Sequence, residues 1–150
     1  REAKWRGPTA PAASNSSIPA GVRAMLRLAA ERPWVKVGAD QQGCPTCAED
    51  LAGMIGRLMT HPVRGVLHVT NEGHCTWHEF ATEIVKLAGY RVPVEPITTA
   101  DMPRPAQRPA YSVLSAERLH HLGFRMPSWQ DGLQRFLHVF LNRSSVASQG

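Results

Sequence analysis

The sequence predicts an α/β fold of α+β-like character, in which helices are joined by a few short, mostly parallel strands. Three observations carry that prediction. Apolar residues recur at helical spacing in several separate stretches, most of them ended by Pro or Gly. Short β-rich runs, Val35-Lys36-Val37, Gly65 to Val69 and Val92 to Ile97, lie between those stretches. With 150 residues, 43% hydrophobic and 19% charged, the chain has enough apolar material for one core and one domain.

Residues 1–17 are rich in Pro, Ala, Ser and Asn without periodicity and read as an irregular lead-in. Val22, Met25, Leu26, Leu28 and Ala29 then predict a helix over 18–31, stopped by Glu31-Arg32-Pro33. Val35 to Val37 forms a strand that runs into a polar turn at Asp40 to Thr46. Leu51, Ile55, Leu58 and Met59 mark one face of a helix over 47–60, ended by His61-Pro62. Gly65 to Val69 is apolar throughout, so as a strand it wants cover on both faces, and it feeds the turn Thr70-Asn71-Glu72-Gly73.

Thr76 with Glu79 is a capping box opening a helix that carries Trp77, Phe80, Ile84, Val85 and Leu87 and stops at Gly89. Val92 to Ile97 is a Pro-interrupted strand, and the Pro-rich run from Met102 to Pro109 is a long crossing loop. Ser115 to Leu119 starts a short helix, and Ser128 caps a last one with Trp129, Leu133, Phe136, Leu137 and Phe140 on one face. Residues 142–150 read as a flexible tail, which leaves 18–141 as the domain.

The net charge is +5, but the basic residues are scattered and form no block or basic helix, so no nucleic-acid partner is expected. No stretch has the apolar length of a membrane span, and Arg1 to Trp5 lacks the apolar core of a signal peptide. A cytoplasmic location is the expectation. Three cysteines, an odd count, argue for reduced thiols. A first residue of Arg is what a piece of a longer protein would show.

The densest chemistry lies in Asp40 to Ala52, where a polar turn opens directly into a helix. Gly43 permits unusual backbone angles, Pro45 fixes its own φ, and Thr46 is an apt N-cap, so the unpaired N–H groups of the first turn would face a polar ligand. Asp40, Gln41, Gly43, Pro45 and Thr46 are therefore candidate binding residues.

Cys44-Pro45-Thr46-Cys47 is also a C-x-x-C pair, with His74, Cys75 and His78 downstream as soft ligands for zinc. A strand and a helix intervene, a span far longer than in a compact zinc finger, so no metal site is assigned and Cys44 and Cys47 read as small half-buried hydrophobes. His68 reads as a hydrogen-bonded core histidine, and His120, His121 and His138 as surface residues.

Gly53-x-x-Gly56 lies mid-helix and reads as helix packing rather than a dinucleotide loop. No Tyr-x-x-x-Lys and no Gly-x-Ser-x-Gly elbow occurs, so hydride transfer has neither a cofactor seat nor an acid, and no catalytic residue is assigned. In the segment Ile97 to Leu114, prolines hold Arg108 on an extended loop suited to a bidentate phosphate or carboxylate contact, with Tyr111 read as packing and Ser112 as a local cap.

Asp40-Gln41-Gln42-Gly43-Cys44-Pro45-Thr46 resembles the Asp-Gln-x-Gly-x-Pro-Thr motif of the dTDP-4-dehydrorhamnose reductase family, extended short-chain dehydrogenases that reduce a nucleotide-linked keto-sugar. Gly65 to Gly73, Thr76-Trp77-His78-Glu79-Phe80-Ala81, Ala106 to Leu114 and Pro127 to Leu133 are similar to further family motifs in the same order. The resemblance implies the C-terminal, RmlD-like substrate-binding part of such an enzyme. It places Asp40 to Thr46 near a dTDP-sugar and Arg108 towards its phosphates, and lends the Gly65 to Val69 strand to the nucleotide-binding sheet.

In the family, NADPH reduces dTDP-4-dehydro-L-rhamnose to dTDP-L-rhamnose while a Tyr protonates the oxygen. The family's Gly-rich loop, Ser/Thr and Tyr-x-x-x-Lys are missing from this chain, so the chain alone is expected to bind no NADPH and to be inactive. Either a second copy, as a homodimer, or an N-terminal half would cover the apolar strand. Two other readings stand beside this one: a non-catalytic regulatory homologue resembling the methionine adenosyltransferase β subunit, and a small zinc-binding protein.

Overall fold

The computed structural model describes residues 20–101 and 108–147. The lead-in at 1–17 and the part of the crossing loop at 102–107 lie outside the described residues. The elements in chain order are α1 (Ala20–Glu31), β1 (Val35–Gly38), β2 (Gln42–Gly43), α2 (Ala48–Leu58), β3 (Cys75–Thr76), α3 (Trp77–Leu87), β4 (Val94–Ile97), a 3-10 turn (Thr99–Asp101), α4 (Glu117–His121) and α5 (Trp129–Ala147). Helix α5 thus runs beyond 141, where the periodicity had ended the domain.

Strands β1 and β4 pair in parallel from Val35 opposite Val94 to Gly38 opposite Ile97. The outer face of that pair carries Lys36 opposite Glu95, both exposed. Strands β2 and β3 pair antiparallel, Gln42 opposite Thr76 and Gly43 opposite Cys75. The mixture of helices with a few short strands agrees with the fold class expected from the sequence.

Helices α1, α3 and α5 bury one core, built from Val22, Leu26, Cys75, Ile84, Trp129, Leu133 and Leu137. Their stripes were legible because each helix is apolar on one side only. The capping box is present in full: Glu79 N–H donates to Thr76 Oγ1 at 3.1 Å, and Thr76 N–H donates to the Glu79 carboxylate at 2.7 Å. Gly89, with φ of 77°, closes α3 in the left-handed conformation that an L side chain resists.

A second core holds Met54, Leu119, Phe124 and Met126, with Leu58, Leu67 and Val69 against it. Here α2 departs from expectation. Its inward stripe is Met54 with half-buried Leu51 and Leu58, whereas Ile55 and Met59 face outward, Met59 at 82% exposure. The helix is apolar on two sides, and the described residues supply a partner for only one.

Gly53 and Gly56 also lie exposed, with open space where a Cβ would stand, so they serve no packing contact among the described residues. Gly65 to Val69 is not a strand, because no described segment lies alongside to complete a ladder. Leu67 and Val69 turn inward, and His68 is exposed rather than a core histidine. The Arg118 guanidinium holds the segment by donating to the carbonyls of Arg64 and Val66.

Candidate functional site

The polar turn and the Arg108 segment, far apart in sequence, meet at β2. Gln42 N–H donates to Ala110 O at 2.8 Å, Ser112 N–H donates back to Gln42 O at 3.0 Å, and Ser112 Oγ adds a second bond to that carbonyl at 2.8 Å. Gln42 therefore sits between β3 on one side and Tyr111 on the other. Ser112 is a tie across the chain, not a local cap.

Gly43 is needed here for a different reason from the one its sequence context implied. Its φ is not positive, but a Cβ would stand 3.3 Å from Ser112 Oγ. Tyr111, expected to pack, is 64% exposed.

At the front of the turn Asp40 accepts the Thr99 N–H at 2.7 Å, and Gln41 Nε2 donates to Thr99 Oγ1 at 2.8 Å. The Thr99 bonds hold the Asp40 carboxyl below its usual range. Asp101 closes the adjoining turn by accepting from Thr98 N–H and Oγ1, both at 2.8 Å, which lowers its pKa likewise. Thr99 is thus the partner of two candidate residues and carried no signal in the sequence, since a threonine after a strand is unremarkable until its neighbours are placed.

The back of the turn hangs on Asn71, only 1% exposed. Its Oδ1 accepts the Cys47 N–H at 2.8 Å, and its Nδ2 donates to Asp50 at 2.7 Å and to Pro127 O at 3.1 Å. Arg135 clamps Asp50 with contacts of 2.7 Å to both carboxylate oxygens and reaches Asp131 at 2.9 Å, bonds that raise its pKa. Helix α5 can approach so closely because residue 132 is Gly, where a Cβ would lie 3.0 Å from that of Cys47.

Cys47, not Thr46, is the N-cap of α2, and it makes no side-chain cap bond. Thr46 Oγ1 instead donates to Cys44 O at 3.1 Å and accepts the Asn71 N–H at 3.4 Å. The helix start is also unfit for an anion: the Cys47 N–H is spent on Asn71, and Glu49 and Asp50 occupy the first turn. Pro45 is half-buried within the turn, while Arg108 is exposed and pairs with no other described residue.

Cys44 and Cys47 are half-buried free thiols, as expected, and burial pushes the Cys75 thiol up to about 12. The His78 ring is engaged with Val94 O at 2.9 Å. Among the described residues no group of three or more His, Cys, Asp or Glu side chains converges as a metal site would require. His120 is half-buried against Glu72 at 3.1 Å, while His121 and His138 are exposed.

Residues 19–142 match the family model described as the RmlD substrate binding domain. The chain is 39% identical over 116 residues to the spore coat polysaccharide biosynthesis protein SpsK of Bacillus subtilis, covering 77% of this chain and 41% of that protein. It is 34% identical over 132 residues to a dTDP-4-dehydrorhamnose reductase of Sinorhizobium fredii, covering 80% and 45%. The crystal structure of dTDP-4-dehydrorhamnose reductase from Bacillus anthracis in complex with NADP superposes with a TM-score of 0.74 at 43% identity, covering 77% of this chain and 42% of that one. The chain therefore spans less than half the length of the relatives it matches.

Proposed function

The chain belongs to the RmlD substrate binding domain family, and from that premise we propose that it is the dTDP-sugar-binding part of a dTDP-4-dehydrorhamnose reductase. The observation that carries this reading is the pairing at β2, which sets the Asp40 to Thr46 turn beside the segment bearing Arg108. A sugar nucleotide needs a cation for its diphosphate and hydrogen-bonding groups for its hydroxyls. Arg108 supplies the first. Asp40 and Gln41, pinned by Thr99, supply the second with little ordering left to do on binding. Gly43, Pro45 and Thr46 hold the turn in shape rather than reach outward.

In the full-length reaction NADPH supplies a hydride to the keto carbon. The described residues of this chain do not fit that cofactor. The glycines with positive φ, Gly65, Gly73, Gly89 and Gly123, lie in separate turns, none of them a strand-to-helix phosphate loop. The cofactor seat and the proton donor thus fall to the part of the relatives that this chain does not span.

The chain alone is expected to bind dTDP, and Arg108→Ala to weaken that binding about tenfold, the cost of one charge-assisted contact. Calorimetric titration measures both. The chain with NADPH and the keto-sugar nucleotide should show no substrate-dependent loss of NADPH absorbance. Steady loss would overturn the view that its role is binding alone.

A further inference from the structure

His74 and Tyr111 are two exposed rings that the turn's own hydrogen bonds do not use. Side chains alternate along β3, so with Cys75 buried in the core, Thr76 points to the opposite face, and His74 just before the strand is exposed. Gln42 pairs with Thr76 on one side and with Tyr111 on the other, which brings Tyr111 to that same outer face. The centroids of the two rings lie 6.5 Å apart with planes at 63°. The result is an open corner: one ring can lie flat under a planar ligand while the other meets its edge.

The charges around the corner give it a direction. His74 also lines a shallow cleft with Glu79 and Glu83, whose carboxylates repel a diphosphate. Arg108, three residues before Tyr111, attracts one. A sugar nucleotide laid across β2 would therefore place its anionic middle at Arg108 and a neutral end at the corner.

We infer that Tyr111 and His74 form a base-stacking corner that takes the pyrimidine ring of a nucleoside diphosphate, with Tyr111 under the ring and His74 at its carbonyl edge. This rests on the sugar-nucleotide reading above. It adds the orientation of the ligand and two residues that set its specificity.

The test is titration of the chain and of the Tyr111→Ala, Tyr111→Phe and His74→Ala variants with dTDP, dTDP-rhamnose and inorganic pyrophosphate. Tyr111→Ala should weaken dTDP about tenfold, the usual loss for one aromatic stacked on a base, and leave pyrophosphate unchanged. Tyr111→Phe should keep dTDP binding within about twofold, since the ring face is preserved. His74→Ala should weaken dTDP less than Tyr111→Ala does.

Equal weakening of dTDP and pyrophosphate by Tyr111→Ala would overturn the inference, as would unchanged dTDP binding. Weakening of dTDP-rhamnose alone would assign the corner to the sugar and overturn it too. In each of those outcomes the wild-type chain still binds dTDP and the sugar-nucleotide reading stands. If the wild-type chain binds no dTDP, that reading falls first and takes the corner with it.

Discussion

At the scale of single residues, the candidate turn is shaped by groups that bind no ligand. Gly43 faces the Ser112 hydroxyl at a distance that would crowd a methyl group, and that hydroxyl is tied to Gln42 O, so it cannot swing away without losing a bond. Gly43→Ala should therefore cost about 1 kcal/mol, the lower end for overpacking a closed contact. Urea denaturation would read the loss, and Ser112→Gly should recover much of it if the crowding is the cause. Asn71→Ala should cost more, about 2 kcal/mol, because it strands the Cys47 N–H and removes a donor from Asp50 while Arg135 remains. The sequence marked Gly43 but gave the wrong physical reason, and it marked Asn71 only as a turn residue. Both roles depend on contacts between segments far apart in the chain, which local spacing does not record.

At the scale of elements, legibility followed one-sidedness. Helices α1, α3 and α5 each have a single apolar stripe, and the spans of α1 and α3 could be read to within a few residues, whereas α5 continues past 141. Helix α2 has two, and the choice between them is made by Leu67, Val69 and Phe124 packing on Met54. The capping box of α3 was visible because its two bonds lie three residues apart. Thr76→Ala should cost about 1 kcal/mol in urea denaturation, the usual value for a lost N-cap.

The same carboxylates set an acid dependence. Thr76 holds the Glu79 pKa down, as Thr99 does for Asp40 and Thr98 for Asp101. A carboxylate depressed on folding adds stability above its unfolded value, about 3.9 for Asp and 4.3 for Glu, and loses it as pH falls through the folded value. The urea midpoint should thus be insensitive to these groups above about pH 5 and should drop below about pH 4, with Asp40→Asn flattening part of that drop.

At the scale of the whole molecule, what the sequence could not convey is which apolar surfaces this chain covers by itself. Gly65 to Val69 and the outer side of α2 have equally apolar patterns to the buried stripes, yet Val66 is 77% exposed and Met59 more so. From Arg64 to Thr70 no backbone N–H donates to another described residue, although Arg118 secures two of the carbonyls. The segment's N–H groups thus meet no described acceptor, the condition of a strand edge awaiting a neighbour. Two measurements follow from that state. In dilute solution the amides of Leu67 and Val69 should exchange with solvent rapidly while those of Ile84 and Val85 in α3 stay protected. Met59→Ser should change stability by less than about 0.5 kcal/mol, since it removes no buried contact, whereas Leu67→Ala should cost about 1 to 2 kcal/mol through the core it half enters. Slow exchange at Leu67 and Val69 that quickens on dilution would instead show that a second copy pairs with this edge, and the same Met59→Ser variant would then shift the concentration at which the protection is lost.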